Sequence, residues 1–273
     1  YMFNGCMNLK YLDISSFNTT KVKSFRAMFR KCSSLTSLDI SHFNTSSSSV
    51  LAYNFKFYNM TNIENLELPF FYSSNVQDIS YMFYQCKKLK NLDLKFDNLE
   101  KIITLLSVFE GCSMLERINI ESDIFNTKNL RIMSHTFKDC YSLTSIDLSK
   151  FRTRIVYTTS NLFANCINLI HLNISNFDVS SVTDMSYMFY NCSSLTSLDL
   201  GFFKTVKGNN FNYMFNSCTY LQWLNLTNFY NLYGKELNNI FDGCIALSVL
   251  LNKEYCSNII ETIPDYVNKI FVE

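Results

Sequence analysis

Proline occurs twice and glycine six times in 273 residues, so the tight-turn punctuation of a β-sandwich or β-propeller is missing. Loops here must be built with Asn, Ser and Asp instead. Charge of either sign is also scarce and balanced: 24 Lys and Arg stand against 23 Asp and Glu, a net charge of +1 with pI near 7.6. Without a basic stripe to release counterions, the chain has no electrostatic case for binding nucleic acid or an anionic membrane. No run of about eighteen apolar residues occurs, since even the least charged window, 161–177, is broken by Asn165, Asn168, His171, Asn173, Ser175 and Asn176. The sequence opens inside a repeat, with no basic n-region or cleavage site at that point; any signal, lipid anchor or wall anchor is expected outside this stretch, and the array is expected to begin further upstream.

Chemistry-bearing residues are sparse in the same way. The histidines are His42, His135 and His171, each at a different place in the repeat described below, so no Cys/His nucleophile pair converges. No Gly-rich phosphate loop is present, and no C-x-x-C pair suggests zinc. The expectation is a non-enzymatic chain with no catalytic residues, no cofactor and no metal.

What is abundant is repetition. Phe-x-x-Cys recurs from Phe3/Cys6 to Phe241/Cys244, with Phe57/Met60 filling one gap, which gives ten repeats. Seven of the nine intervals are 26 residues and two are 28; the longer ones coincide with Thr45 to Leu51 and Glu121 to Ile124, read as loop insertions. Three residues after each Cys begins an L-x-x-L-x-L series, such as Leu195/Leu198/Leu200, whose final alternation marks a short strand with one buried face. The pattern fails in the tenth repeat, at Leu247/Leu250/Asn252. Upstream of each Phe-x-x-Cys, apolar residues fall at i, i+3, i+6 and i+7, as in Val182/Met185/Met188/Phe189, which predicts a helix of two to three turns. Ser181 with Asp184, and Ser74 with Gln77, have capping-box spacing. Gly208 and Gly234 should make the last two helices shorter or irregular.

Each repeat is therefore expected to be helix, turn, short strand, turn. One such unit cannot bury its own apolar face, whereas ten stacked units form a continuous core with parallel strands side by side. The fold class is an α/β solenoid, spanning about 45 Å before curvature at ~4.8 Å per strand, with the sheet on the concave face. Residues 1–254 form one solenoid domain, and 255–273, with Ile259, Ile260, Ile263, Val267 and Ile270 irregularly placed, should cap its end.

Nine of the ten cysteines occupy one equivalent position per repeat, the signature of a buried thiol column and not of a disulfide framework. Cys256, outside that register, is expected to be the accessible thiol.

The exposed strand face carries the candidate site. Its central column reads Asp13, Asp39, Glu67, Asp93, Asn119, Asp147, Asn173, Asp199, Asn225. Stacked like charges cost stability, so interleaved Asn reads as a hydrogen-bonding ladder; the functional alternative is an acidic groove for cations or basic protein partners. The neighbouring column runs Tyr11, Ser37, Asn65, Asn91, Arg117, Ser145, His171, Ser197, Trp223, Val249. Small Ser separates large Arg117, His171 and Trp223, leaving room for each against a partner, and Tyr, Trp and Arg are enriched among binding hot spots. Tyr11, Arg117, His171, Ser197 and Trp223 are the candidate contact residues. Sequons at Asn18, Asn44, Asn59, Asn173, Asn191 and Asn225 recur because the repeat recurs.

The segment MSYMFYNCSSLTSLDLGFF, preceded by FDVSSVTDM and echoed by FRAMFRKCSSLTSLDISHFNT, resembles the BspA-like leucine-rich repeat surface proteins, in their 26-residue DUF285 branch. The similarity covers about Met2 to Phe229. Met60 in place of Cys and Asp97 in place of the usual Phe depart from it, as does the C-terminal segment. The resemblance implies a leucine-rich-repeat solenoid, a cell-surface or extracellular location, and adhesion or binding of a host or neighbouring protein. An intracellular scaffold or sensor that positions a separate effector is the alternative, with a cytoplasmic location. Ligand and oligomeric state are not encoded in any pattern found.

Overall fold

The computed structural model describes residues 1–47, 57–72, 76–124, 126–230 and 235–272. The chain winds as a solenoid of parallel strands. β1 (Ser37–Asp39) pairs with β2 (Asn65–Glu67), and β3 (Phe70–Phe71) with β4 (Asn91–Asn98), which pairs in turn with β5 (Arg117–Ile124). β6 (Ser145–Asp147) pairs with β7 (His171–Asn173); β8 (Ser197–Asp199), β9 (Trp223–Asn225), β10 (Ser248–Asn252) and β11 (Asn268–Val272) form the last block. Every pairing is parallel, and equivalent residues of successive repeats face each other, as in Leu38↔Leu66, Ile146↔Leu172 and Leu198↔Leu224.

The spine is aromatic. The ten Phe rings from Phe3 to Phe241 stack in one unbroken column, each within 5.3 to 6.1 Å of the next, centroid to centroid, and within 17° of coplanar. Beside it runs the thiol column. Cys86, Cys112, Cys140, Cys166, Cys192 and Cys218 are fully buried and unbridged. Each donates its S–H to the carbonyl of the Phe one repeat back, Cys166 Sγ lying 3.1 Å from Phe137 O. Burial pushes these thiols up, Cys112 to about 12, because the charged thiolate is the form that desolvation penalises.

The expected helices are absent. Among the described residues the one α-helix is the four-residue α1 (Ser257–Ile260). Where Val182 to Cys192 should have been helical, the backbone alternates between two bonding modes. Met185, Tyr187, Phe189 and Asn191 donate their N–H groups to carbonyls of the next repeat at 2.8 to 2.9 Å. The intervening Met188, Tyr190 and Cys192 close i to i+3 turns. Tyr187 and Asn191 hold φ of 57° and 55°, and a left-handed residue every fourth position stops helix propagation. The same pair of left-handed positions recurs at Tyr81/Gln85, His135/Asp139, Asn161/Asn165 and Tyr213/Ser217. Val182, Met185, Met188 and Phe189 are nevertheless all fully buried, so the spacing reported a buried corner sequence and not a helix.

The capping boxes go with the helices. Asp184 accepts from the N–H of Ser186 at 3.0 Å and from its hydroxyl at 2.7 Å, a turn of its own, and sits in a line of parallel bridges from Asp78 to Glu236. Ser74 and Gly234 lie outside the described residues. Gly208 is not a helix breaker: a Cβ there would meet the Phe211 ring at 2.3 Å, so the ring occupies the space the missing side chain leaves.

Three further expectations are corrected. Glu121 to Ile124 is not a looped insertion but the second half of β5, paired with Lys95 to Asn98 of β4; of the other insertion, residues 48–51 lie outside the described residues. Asp97 did not lose the aromatic ring of its repeat, because Phe96 supplies it one position earlier, buried and stacked on Phe71 at 5.4 Å. The tenth repeat is displaced by one residue and does not fail. Ser248 pairs with Trp223 and Val249 with Leu224, so Leu247, Val249 and Leu251 are the buried set and Val249 is core.

At the C-terminal end Ile259, Ile263 and Val267 are buried, and Asn268 to Val272 continues the array as β11, in parallel register with β10. Cys256 is fully buried there, its Sγ 3.4 Å from Leu226 O, which overturns its assignment as the accessible thiol. Cys6, at the other end, is the cysteine that is only partly covered.

A third ladder ties the far corner of each repeat. The buried hydroxyl of Thr153 donates to Asp178 O at 3.0 Å and accepts from the Asp178 N–H at 2.8 Å. Thr19, Thr127 and Thr205 make the corresponding pairs of bonds, to Asn44, Arg152 and Tyr230, whereas Thr45 donates to Phe70 O and accepts from the Tyr72 N–H.

The candidate binding face

Strand alternation sends the second residue of each short strand into the core and the first and third outward. The first-position column is Ser37, Asn65, Asn91, Arg117, Ser145, His171, Ser197, Trp223, in register from strand to strand within each block. Arg117, His171 and Ser197 are exposed and line one open depression together with Ser145, Asp147 and Asn173. Trp223 is half-buried on the strand that follows. Tyr11, 76% exposed, belongs to a separate depression with Asp13, Asp39, His42, Asn65 and Glu67. The five candidate contacts thus fall into two places, with Arg117, His171, Ser197 and the adjoining Trp223 in one and Tyr11 alone in the other.

The third-position column turns out to end strands. Asp13, Asp39, Asp147 and Asp199 each accept at Oδ1 the N–H two residues on, at 2.8 to 3.0 Å, and Asn173 and Asn225 do the same at 3.2 and 3.1 Å. These are Asx turns. Side-chain and backbone hydrogen bonds from Ser41 hold Asp39 below the usual carboxylate range, and those from Ser149 do so for Asp147. A rung of the expected ladder is present too, from Asn225 Nδ2 to Asp199 Oδ1 at 2.8 Å.

Where the strand runs on, the turn is lost and the side chain is released. Asp93 instead receives Arg117, whose Nη1 and Nη2 lie 3.3 and 3.4 Å from its two oxygens. Asn119 donates to Glu121 Oε1 at 2.8 Å. Glu67 is followed two residues on by Pro69, which has no N–H to give. Lys95 with Glu121 adds a cross-strand ion pair at 3.9 Å, and Lys88 with Glu64 one at 3.8 Å between the segments that precede the strands, all about half exposed, and such pairs contribute little, about 0 to 1 kcal/mol each. The sequence columns include Glu67, Asp93, Arg117 and Asn119 but leave out Lys95 and Glu121, whose signal was the alternation Leu92, Leu94, Phe96, which carries on two residues past the usual strand end.

The three histidines lie apart. His171 is on the strand face; His42 Nε2 sits 3.2 Å from Ile14 O; and His135, on the turn side with φ of 58°, has a buried Nδ1 with no hydrogen-bond partner. Desolvation lowers its pKa. Among the described residues no group of three or more His, Cys, Asp and Glu is placed to hold a metal ion, and no helix is long and apolar enough to cross a membrane.

A search of curated proteins finds no match to the chain. Among solved structures it is similar to a leucine-rich repeat protein from Bacteroides ovatus, at 16% identity over 91% of this chain and 86% of that one, with a TM-score of 0.26. It is similar also to a leucine rich cell surface protein from Faecalibacterium prausnitzii, at 12% identity over 83% of this chain and 75% of that one, TM-score 0.29. A third likeness is to TLR13 in its complex with ssRNA13, at 18% identity over 90% of this chain but 35% of that one, TM-score 0.32. The family described as "Mycoplasma protein of unknown function, DUF285" matches residues 1–122, 53–152 and 131–253. Those three matches overlap to cover all but the last twenty or so residues, and the chain belongs to the DUF285 family, the 26-residue branch of the BspA-like leucine-rich repeat proteins.

Proposed function

We propose that the chain is a non-enzymatic protein-binding module that works at a cell surface, in adhesion or in recognition of a host or neighbouring cell's protein. Its contact surface is the strand face around Arg117, His171, Ser197 and Trp223, with Tyr11 as a second, distant contact. The observation that supports this reading is the division of labour within the repeat. Residues that stay constant between copies, such as Phe163, Cys166 and Leu169, are fully buried, whereas the outward strand positions change identity from copy to copy and stand open. Large, semi-rigid side chains beside small ones on an open sheet are the raw material of hot spots.

The test is retention of the purified protein on intact animal or bacterial cells before and after their surface proteins are removed with protease. Arg117→Ala, His171→Ala and Trp223→Ala should each weaken retention, by about tenfold or more if the residue is a hot spot, with unchanged thermal unfolding. Retention that resists the protease, or that survives all three substitutions, would count against the proposal.

A further inference from the structure

The net charge of +1 averages over a local imbalance that the fold gathers into a surface. Residues 1–63 hold seven Lys and Arg against two carboxylates, a net of +5, while the rest of the chain is net −4. Both carboxylates, Asp13 and Asp39, sit on the strand face, each with Oδ1 bound to the N–H two residues on. Five of the seven cations, Lys21, Lys23, Arg26, Arg30 and Lys31, fall within eleven residues on the turn side of the second repeat. At the equivalent positions no other repeat carries more than two. Lys21, Lys23, Arg26 and Lys31 are exposed and Arg30 is half-buried. Among the described residues no ion pair is made by Lys21, Arg26, Arg30 or Lys31. A charge asymmetry of this size in an otherwise neutral chain points to an anionic partner.

Tyrosines of the neighbouring repeats hold the two arginines. Arg26 lies over Tyr1 of the first repeat, 5.7 Å from the ring centroid, and Arg30 over Tyr58 of the third at 5.1 Å. One guanidinium therefore leans each way along the solenoid, and each keeps N–H edges for an anion. The rest of the segment narrows the partner. Its apolar side chains Phe25, Ala27, Met28 and Phe29 are buried and Val22 is half-buried, so it offers neither the apolar core of a protein interface nor a wedge for a membrane. Tyr58 carries Arg30 and is stacked on Tyr84 at 4.9 Å, so its faces are taken, whereas single-stranded nucleic acid is held by open aromatic faces. Charge and hydrogen bonding are what remain. We propose that the turn side of the second repeat binds a sulfated polysaccharide, whose recurring anions sit on a hydroxyl-rich chain without bases or apolar groups. The guanidinium forks of Arg26 and Arg30 each take a sulfate, and Lys21, Lys23 and Lys31 neutralise the anions beside them. This surface is separate from the strand face around Arg117, His171 and Trp223 and stands independently of it.

The test is the affinity of the 273-residue protein for immobilised heparin near physiological ionic strength, beside desulfated heparin, oligothymidylate, and vesicles one third phosphatidylserine in phosphatidylcholine. Saturable binding to heparin is expected, at least tenfold weaker to the other three. The variant Lys21→Asn, Arg26→Ser, Lys31→Gln installs residues that other repeats carry at these positions, Asn129, Ser134 and Gln85, the last also left-handed like Lys31. It should keep the melting temperature and lose heparin affinity at least tenfold, with a salt dependence shallower by about one unit of slope per cation removed. A matched control, Lys87→Ser, Lys88→Ser, Lys90→Thr, installs the residues at Ser193, Ser194 and Thr196 and should bind heparin as the wild type does. An equal loss in the control would overturn the proposal by showing bulk charge without a site. Equal or tighter binding of oligothymidylate or vesicles would overturn it in favour of nucleic acid or membrane, and no binding to heparin would overturn it outright. His171→Ala and Trp223→Ala should leave heparin binding unchanged; its loss in either would move the site to the strand face, so the two surfaces stand or fall separately.

Discussion

Thr153→Val tests whether the corner ladder holds the solenoid together. The substitution keeps volume and branching and removes one hydroxyl, 1% exposed, that donates to Asp178 O at 3.0 Å and accepts from Asp178 N–H at 2.8 Å. Two neutral hydrogen bonds at about 1 kcal/mol net give ~2 kcal/mol. The orphaned peptide group would add about 1 to 3 kcal/mol if it stayed dry, but Asp178 is exposed, and water can reach the group once the hydroxyl is gone. The expected loss is therefore about 2 kcal/mol, read as a lower urea midpoint at unchanged slope. Two comparisons sharpen the reading. Thr205→Val should cost less, because its donor bond to Tyr230 O is 3.4 Å long, and Thr153→Ser, which keeps the hydroxyl, should cost less than Thr153→Val. A Ser variant as destabilised as the Val variant would refute the argument, since methyl packing and not the ladder would then be at stake. The molecule contains its own precedent: the next repeat carries Val179 at this position, fully buried, so one rung can be missing without loss of the fold.

Thiol labelling of the native protein should modify Cys6 first and leave Cys256 unmodified with the rest of the column, since a buried thiol with its pKa pushed up, to about 12 at Cys244, offers neither access nor thiolate; rapid labelling of Cys256 in the folded protein would contradict its placement. His135→Asn should stabilise by about 0.5 to 1 kcal/mol in urea denaturation, because Asn occupies the left-handed conformation more readily and the buried, unpartnered Nδ1 disappears. Asn161 already fills the equivalent place one repeat on, with φ of 56°. Destabilisation by the Asn variant would mean that packing of the imidazole outweighs both effects.

Most of the core could be read directly from the 26-residue period. The columns headed by Phe163, Cys166 and Leu169 are where the spacing places them, because a solenoid core needs only that equivalent residues recur. The turn segment was misread as helix for an identifiable reason. Apolar residues at i, i+3 and i+7 suit a helical face, but i+6 lies about 240° around a helix from i, off that face, and Met188 is fully buried all the same. That misfit was the available signal against a helix. The left-handed turns were harder to foresee, since Tyr187, Gln85 and His135 occupy positions where glycine would announce itself, and among the described residues only Gly5, Gly111 and Gly243 do so. Cys256 and Val249 failed for a simpler reason: a one-residue displacement of the tenth repeat reverses which side chains face inward, and no periodicity survives in 255–273 to reveal that the chain folds back over the core.

The outward columns were legible as positions but not as chemistry. Alternation named Asp147 and Asp199 correctly as exposed, yet it could not tell that one oxygen of each is committed to a turn and the other is not. That division lets the sequence vary charge without disturbing the fold. An Asp or an Asn caps the strand equally well through Oδ1, as the bonds of Asp199 and Asn225 to the residues two positions on demonstrate at 2.9 and 3.1 Å. The second atom is then free to be a carboxylate oxygen that attracts a cation or an amide nitrogen that bridges to a neighbour, as Asn225 does to Asp199. From β6 to β9, alternating the two keeps Asp147 and Asp199 from standing on neighbouring strands, which relieves the repulsion a continuous Asp column would carry. Stability lies in the residues and atoms shared by every repeat, and recognition in those the repeat leaves uncommitted.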